Sequence, residues 1–231
     1  MDSPEMRDLH LQIRRACHDL NAPLRAIRGF AGILERRERD NLSERGRLYL
    51  ERMVAATGHM EQVVGGLHRY ARVASHRVSS QPLALARQCD RILGHHFAQA
   101  LAAGRLRWRA DPDLHWHGDP ELLETIICAL VDNGLRFTDG EEPDVALSCR
   151  ATDDGALRIQ VRDRGIGIAP EHQARLFRLF ERLHPRDRYP GAGVGLTMVW
   201  KATELLGGTI AIDSREGAGT TVEITLPQQS Q

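Results

Sequence analysis

Apolar residues in the first third of the chain recur at alternating spacings of three and four residues. At about 100° per residue, such positions share one quarter of a helical wheel, which predicts a long amphipathic helix. The first series is Leu9, Ile13, Ala16, Leu20, Leu24, Ile27, Ala31 and Leu34. After a polar break at residues 40–43 the spacing returns in Tyr49, Met53, Ala56, Met60, Val63, Leu67 and Tyr70.

The break between the two predicted helices is short and polar. Either Asn41 or Ser43 can cap the second helix, because both side chains accept hydrogen bonds from the free amides of a first turn. Two long helices joined in this way predict an antiparallel hairpin. A lone hairpin cannot enclose its own apolar seam, so we expect it to pair with a second copy as a dimeric four-helix bundle.

The pattern changes around residues 79–82, Ser-Ser-Gln-Pro, where we place a boundary between domains 1–78 and 79–231. Helical and strand patterns then follow one another without strict β-α-β alternation, which predicts an α+β sandwich. The predicted helices cover residues 83–103, 120–136 and 195–206. The predicted strands cover residues 106–109, 145–150 and 157–161, with a final hairpin of 209–214 and 220–226.

Composition narrows the functional classes. Lys and Arg total 31 and so do Asp and Glu, so no overall basic field exists to attract nucleic acid or an anionic membrane. No apolar stretch approaches the roughly 20 residues that cross a bilayer, and no secretory signal is visible. The four cysteines stand singly, which predicts reduced thiols in a cytoplasmic protein.

His18 is set apart by its place on the first helix. It lies about 165° from the centre of the apolar face, so its imidazole is expected to project into solvent. Asp19 follows directly and can hold the ring tautomer and accept a proton, as a base does for a nucleophile. Pro23 removes one hydrogen bond from the same helix, which indicates a functional bend. The alternative is that His18 is an ordinary surface histidine.

The first of two glycine-rich clusters follows a predicted strand, and the second opens a predicted helix. Asp163 ends a strand and can accept a hydrogen bond from an adenine amino group, while Gly165 and Gly167 let the backbone approach a nucleotide. The second cluster opens the predicted helix from residue 195, where free amides form a cradle for a triphosphate. It comprises Gly191, Gly193, Val194, Gly195 and Leu196. Neither cluster has the order of a P-loop.

The segments beside these clusters add candidate ligands. Asn133 offers an amide oxygen to a hard cation such as Mg²⁺, and Arg136 lies one turn later, within reach of phosphates. Residues 176–184 have the pattern of a short amphipathic helix in a mobile nucleotide lid. The candidate phosphate contacts in and just after this segment are Arg178, Arg182, Arg186 and Arg188. The alternative is that these arginines form a solvated basic face.

Taken in order, these motifs resemble the transmitter half of a two-component sensor histidine kinase. Residues 17–25, Cys-His-Asp-Leu-Asn-Ala-Pro-Leu-Arg, are similar to the phosphoacceptor box of that family, and residues 132–138 to its asparagine box. Residues 163–167 resemble the first glycine box of the family. Residues 179–184 resemble its phenylalanine box, and residues 191–196 resemble its second glycine box. The His-Asp-Leu opening and the Phe-Glu-Arg-Leu-His-Pro segment look most like the kinases of bacterial phytochromes.

The resemblance implies a fold and a reaction. The hairpin would be the dimerisation and phosphotransfer domain, and the rest an ATP-binding sandwich of the histidine kinase, gyrase and heat-shock-chaperone ATPase type. ATP and Mg²⁺ would be the cofactors, with the nucleotide held at Asp163 and the glycine boxes and also by Asn133, Arg136, Phe137 and Arg182. Nε2 of His18 would attack the γ-phosphorus with Asp19 as base, and the phosphoryl group would pass to an aspartate of a response-regulator receiver domain.

Some positions depart from the family pattern. Ala129 stands one turn before Asn133, at a position where another asparagine is common. The missing polar contact to Mg²⁺ or its waters is expected to slow the kinase and weaken Mg²⁺·ATP binding. Gly134 replaces an alanine, and Arg136 replaces a lysine. Ala22 stands where relatives carry a residue that orients a hydrolytic water, which predicts weak or absent phosphatase activity. No sensor domain is visible, so we expect either a fragment of a longer sensor or a signal received in trans.

Two other readings stay open. A non-catalytic phosphotransfer or scaffold module would keep His18 and the dimer while its altered asparagine box no longer supports turnover. A strand-passage or chaperone ATPase would share the nucleotide fold but would have no use for an exposed histidine on a bundle helix.

Overall fold

The computed structural model describes residues 4–138, 142–185, 188–189 and 191–229. The chain divides into two compact units, Met1–Ser75 and His76–Gln231. The boundary expected from the sequence, between residues 78 and 79, lies within the first few residues of the second unit. Within the described part of the chain, no helix has both the length and the apolar character that a membrane span requires.

The first unit is a helical hairpin. Helix α1 spans Pro4–Arg37, a short 3-10 turn covers Arg39–Asn41, and helix α2 spans Glu44–Ala74. Ser43 is the N-cap of α2, because its Oγ accepts a hydrogen bond from the amide of Gly46 at 3.2 Å. Of the two candidate caps, the structure therefore selects Ser43. Both predicted helices are confirmed.

The apolar seam is only partly covered inside one hairpin. Cys17, Leu24 and Ala31 recur every seven residues along α1 and are buried, as are Leu50 and Thr57 on α2. Two helices in contact shield a strip about one residue wide, so the other apolar positions of the predicted series are half-buried or exposed. The large exposed members of the two series are Leu9, Leu20, Ile27, Leu34, Tyr49, Met53 and Met60.

The second unit is an α+β sandwich. Its helices are α3 (Leu85–His96), α4 (Ala98–Ala102), α5 (Pro120–Arg136), α6 (Pro170–Gln173) and α7 (Gly195–Leu205). Its strands are β1 (Gln81–Ala84), β2 (Leu106–Ala110), β3 (His115–Gly118), β4 (Val145–Ala151), β5 (Leu157–Asp163), β6 (Thr209–Ser214) and β7 (Thr220–Leu226). The predicted fold class is confirmed.

Five strands form the main sheet in the order β2-β4-β5-β7-β6, and β1 and β3 form a separate antiparallel ribbon. Only β2 and β4 are parallel within the main sheet. Alternate residues of β4 and β5 are buried, as expected for strands with one covered face. Helix α5 packs on these strands and on α7, and its buried side chains complete the core.

Two predictions about secondary structure are wrong. The single helix expected over residues 83–103 is instead strand β1 followed by α3 and α4, which are separated at Phe97. The amphipathic helix expected over residues 176–184 does not form, and only the short α6 precedes that segment. Phe180 has φ of 63°, a left-handed conformation that interrupts a right-handed helix.

Candidate phosphoacceptor and nucleotide sites

His18 projects from α1 as the sequence predicts. Its side chain is 86% exposed, and its Nδ1 lies 3.3 Å from Oδ1 of Asp19. With Nδ1–H donating to the carboxylate, the lone pair on Nε2 is free and faces solvent. Helix α1 continues through Pro23 without ending. The first unit therefore presents an accessible nitrogen nucleophile with a proton acceptor beside it.

Asp163 stands at the end of β5, where its Oδ1 accepts hydrogen bonds from the amides of Gly165 at 2.8 Å and Thr220 at 3.1 Å. Burial raises the pKa of this carboxyl, and the two amides offset only part of the increase. Within the described residues Oδ2 has no hydrogen-bond partner. That oxygen can accept a hydrogen bond from an exocyclic amino group of a base.

The first glycine cluster is packed against the end of α5. A Cβ at Gly165 would lie 2.1 Å from the carbonyl oxygen of Phe137, so only glycine fits there. The same carbonyl accepts a hydrogen bond from the Ile166 amide at 3.0 Å. Gly167 in turn lies against the carbonyl of Arg215. The structure thereby joins the loop after β5 to the predicted site residue Phe137.

Asn133 and the start of α7 come together. Val194 is the N-cap of this helix and Leu196 lies in its first turn. A Cβ on Gly195 would be 3.4 Å from Oδ1 of Asn133. The Asn133 amide has no hydrogen bond to any other described side chain or backbone group, so it is available to a ligand. Free amides of the α7 N-terminus add a partial positive charge at the same place.

Gly134 explains one departure from the family pattern. A Cβ at this position would lie 3.0 Å from Cγ2 of Val145 and 3.4 Å from Cβ of Asp163. Glycine therefore lets α5 approach β4 and the end of β5 more closely than alanine would. The departure at Ala129 has no such compensation, because its methyl group supplies no ligand one turn before Asn133.

Two guanidinium groups converge on the second glycine cluster. Arg182 donates to the carbonyl oxygens of Tyr189, at 2.6 Å, and Gly191. Arg136 is paired with Asp132, and its Nη1 lies 2.6 Å from the position a Cβ on Gly191 would take. Both arginines thus border the expected phosphate region. Contact between either of them and a phosphate stays a prediction.

The loop before α7 also requires a glycine. Gly193 has φ of 69°, and a Cβ there would lie 2.7 Å from the carbonyl oxygen of Glu181. Arg178 is exposed, and the guanidinium carbon of Arg188 lies 5.7 Å from the centre of the Tyr189 ring. Arg186 lies outside the described residues.

Tyr189 is a residue of this region that no sequence pattern indicated. Its side chain is buried, and its Oη donates a hydrogen bond to the carbonyl oxygen of Thr138 at 3.1 Å. Its ring lies 5.1 Å from that of Phe137 and 5.4 Å from that of His184, measured between centroids. Desolvation and the nearby Arg188 lower the pKa of His184. A lone tyrosine in an irregular segment has no periodicity from which this contact could be predicted.

Comparisons with known proteins agree with this geometry. Residues 9–76 match the model of the His Kinase A (phospho-acceptor) domain. Residues 118–230 match that of the Histidine kinase-, DNA gyrase B-, and HSP90-like ATPase family. The two matches fall on the hairpin and on the sandwich, and they include His18 and every residue proposed for nucleotide binding.

Curated relatives carry the same pair of domains within longer chains. Cyanobacterial phytochrome A of Nostoc sp. is 30% identical over 92% of this chain and 28% of its own length. Histidine protein kinase DivJ of Caulobacter vibrioides is 34% identical over 91% of this chain and 36% of its own length. The chain therefore spans about a third of the length of these relatives.

A solved structure agrees with the fold. Full-length ShkA in complex with AMPPNP is similar with a TM-score of 0.69 at 24% identity, over 95% of this chain and 46% of ShkA. With a phosphoacceptor domain followed by an ATPase domain, and with the motifs of both in order, the chain belongs to the two-component sensor histidine kinase family and comprises its transmitter region.

Proposed function

We propose that the protein autophosphorylates His18 from ATP and transfers the phosphoryl group to an aspartate of a response-regulator receiver domain. The observation that carries this proposal is the exposed His18 ring, with Asp19 at Nδ1 and Nε2 free. An ATPase domain in the same chain supplies the second half of the reaction.

The nucleotide would be held by groups from three parts of the sandwich. Oδ2 of Asp163 would accept a hydrogen bond from the adenine amino group, while the α7 amides at Gly195 and Leu196 would bind phosphate oxygens. Arg136 and Arg182 border the same region and would neutralise charge on the phosphates. Positioning and charge neutralisation supply most of the rate in such transfers.

The proposed transfer takes two steps, each of which forms one bond to phosphorus and breaks another. The lone pair on Nε2 of His18 forms a bond to the γ-phosphorus while the bond from phosphorus to the β,γ-bridging oxygen breaks, and ADP leaves. Nδ1 then gives its proton to Asp19, so that the phosphoimidazole is neutral at the ring. In the second step, a receiver carboxylate oxygen attacks the same phosphorus, the P–N bond breaks, and the imidazole regains its proton.

Asn133 fits a role in binding Mg²⁺, which takes few protein ligands and prefers phosphate oxygens. Its amide is free among the described residues and lies beside the start of α7. When bound, the ion would neutralise charge on the β- and γ-phosphates. Ala129 contributes no second oxygen, which supports a weaker ion site than in relatives with an asparagine there.

A homodimer through the hairpin is part of the proposal. The apolar residues that one hairpin leaves exposed lie along both helices, among them Leu20 and Ile27 of α1 and Met53 and Met60 of α2. Burying such a stripe against a second copy would form the four-helix bundle. A cytoplasmic location and a sensor domain outside this chain complete the proposed setting, and Ala22 supports low phosphatase activity toward the regulator.

A non-catalytic phosphotransfer or scaffold module is the second candidate, favoured by Ala129. Incubation with γ-labelled ATP and Mg²⁺ separates the two. We expect acid-labile label in the wild type and in His59→Gln, an exposed histidine of α2 that serves as the matched control, and none in His18→Gln. Equal label in His18→Gln would reject the kinase. An unlabelled wild type that still accepts phosphoryl groups from a phosphorylated receiver would support the scaffold.

A further inference from the structure

Asp119 is a buried carboxylate that connects two segments of the ATPase unit. It is the N-cap of α5, with Oδ1 accepting hydrogen bonds from the amides of Glu121 at 2.9 Å and Leu122 at 3.0 Å. Its Oδ2 lies 2.7 Å from Nε2 of His76 and accepts a 2.7 Å hydrogen bond from the Ser79 amide. Both carboxylate oxygens are thus fully used.

The groups around this carboxylate favour its charged form. Burial alone would raise the pKa of Asp119, but the Ser79 amide, the His76 ring and the Leu122 amide hydrogen-bond the carboxylate and lower its pKa. The other nitrogen of the His76 ring, Nδ1, lies 3.6 Å from Oε2 of Glu121. The His76 side chain is only 18% exposed and that of Asp119 only 2%, so the contact between these two residues is shielded from water.

The contact between His76 and Asp119 lies in the segment that connects α2 to β1. Helix α2 ends at Ala74 with Ser75 as its C-cap. The next residue, His76, contacts the Asp119 carboxylate, and the Ser79 amide donates a hydrogen bond to the same carboxylate. Strand β1 begins two residues later, at Gln81. The segment that looks like a linker in the sequence is therefore fastened to the ATPase unit from its first residue.

Asp119 itself is rigidly placed. It directly follows β3, whose Gly118 pairs with Gln81 of β1. A Cβ on Gly118 would fall 2.0 Å from the ring of Trp116, and that ring is fixed by a 3.0 Å hydrogen bond from Nε1 to the carbonyl of Pro227. Helix α5 then runs from Asp119 to the turn that carries Asn133.

We propose that His76 and Asp119 are positioning residues, forming a clamp that holds residues 76–79 of the connecting segment on the ATPase unit. The second part of the proposal rests on the proposed kinase function: a short tether keeps the nucleotide at high effective concentration around His18. Releasing residues 76–79 would add four residues to the free part of the tether. Effective concentration falls roughly as the −3/2 power of length, so the transfer rate would drop about tenfold.

Two variants open the clamp by different means. His76→Ala removes the ring, and Asp119→Ser keeps an oxygen to cap α5 but has none left for His76 and Ser79. His76→Gln retains a side-chain donor and is the conservative rescue. His117→Ala removes a histidine whose ring has no hydrogen bond or ion pair with His76, Ser79 or Asp119 among the described residues, and it serves as the matched control.

Amide hydrogen exchange of the full-length protein, read on peptides covering residues 76–80, reports on the clamp directly. We expect roughly tenfold faster exchange in His76→Ala and Asp119→Ser, and wild-type exchange in His76→Gln and His117→Ala. Trypsin cleavage after Arg77 should accelerate in the same two variants. Unchanged exchange in both would overturn the clamp.

Autophosphorylation tests positioning. At saturating ATP, the labelling rate should fall about tenfold in both open variants while KM for ATP stays unchanged, because the nucleotide cradle is untouched. Faster exchange with an unchanged labelling rate would overturn the positioning role. If wild type and His117→Ala take no label, the kinase proposal has failed, and the exchange result alone decides whether the clamp exists.

Discussion

The phenolic oxygen of Tyr189 lies 3.1 Å from the carbonyl oxygen of Thr138, directly after α5. This contact joins the segment before the second glycine cluster to the end of the helix that bears Asn133. Because the ring also packs on Phe137 and His184, one buried side chain fixes the border of the proposed nucleotide region.

Tyr189→Phe should weaken nucleotide binding while leaving the fold intact. The change removes one hydroxyl and keeps the aromatic contacts. The loss of binding free energy should therefore correspond to one hydrogen bond, about 0.5–1.5 kcal/mol. Calorimetric titration with ADP should show a dissociation constant about two to ten times higher. Tyr49→Phe, an exposed tyrosine of α2, is the control. Equal affinity in Tyr189→Phe and the wild type would contradict a role for this contact.

Asp163→Asn should reduce affinity for both ATP and ADP. The amide presents one oxygen in place of two, so it cannot accept the Gly165 and Thr220 amides and the adenine amino group in the same manner. A charged hydrogen bond contributes about 1.5–3 kcal/mol, which corresponds to a decrease of roughly ten- to a hundredfold. Asp154→Asn alters an exposed turn and should bind normally. Wild-type affinity in Asp163→Asn would remove this residue from the adenine site.

Ala129→Asn should increase kinase activity. The new amide would stand one helical turn before Asn133, where the family resemblance implies a second oxygen beside Mg²⁺ or its waters. Restoring such a contact is expected to raise the autophosphorylation rate at low Mg²⁺ about tenfold or more. Thr125→Asn, one turn earlier on α5, controls for the change in helix composition. A rate that does not respond to Ala129→Asn at any Mg²⁺ concentration would show that the position is neutral.

Acid should selectively destabilise the ATPase unit through Asp119. The folded-state pKa of Asp119 is lower than its ordinary value of 3.8, so the stabilisation is complete above that value. It is lost as the pH falls through the lower folded-state pKa. All three tryptophans, Trp108, Trp116 and Trp200, lie in this unit, so their fluorescence follows its unfolding alone.

Asp119→Asn isolates the charge, because asparagine also caps helices. We expect the wild type to exceed the variant by about 1–3 kcal/mol in unfolding free energy at pH 6. The difference should shrink as the pH falls below 3.8 and through the lower folded-state pKa of Asp119. A difference that persists undiminished at low pH would mean that the carboxylate charge is not what stabilises the unit.

Sequence periodicity was sufficient for the elements with strong local signals. The 3-4 spacing of α1 and α2, the alternation in β5 and the polar cap at Ser43 each reflect interactions within a few residues. The same holds for His18, because its angular distance from the apolar face follows from helix geometry alone. The glycine clusters, taken in order, carried the family resemblance.

Local pattern and motif order were therefore enough to predict the hairpin, the sandwich and the identity of the motifs. Only the tertiary structure showed that residues 176–184 do not form a helix, because Phe180 adopts its left-handed backbone there. It also brought His76 to Asp119 across 43 residues and Tyr189 to Thr138 across 51. Such contacts depend on where the folded chain returns to itself, which no local pattern records.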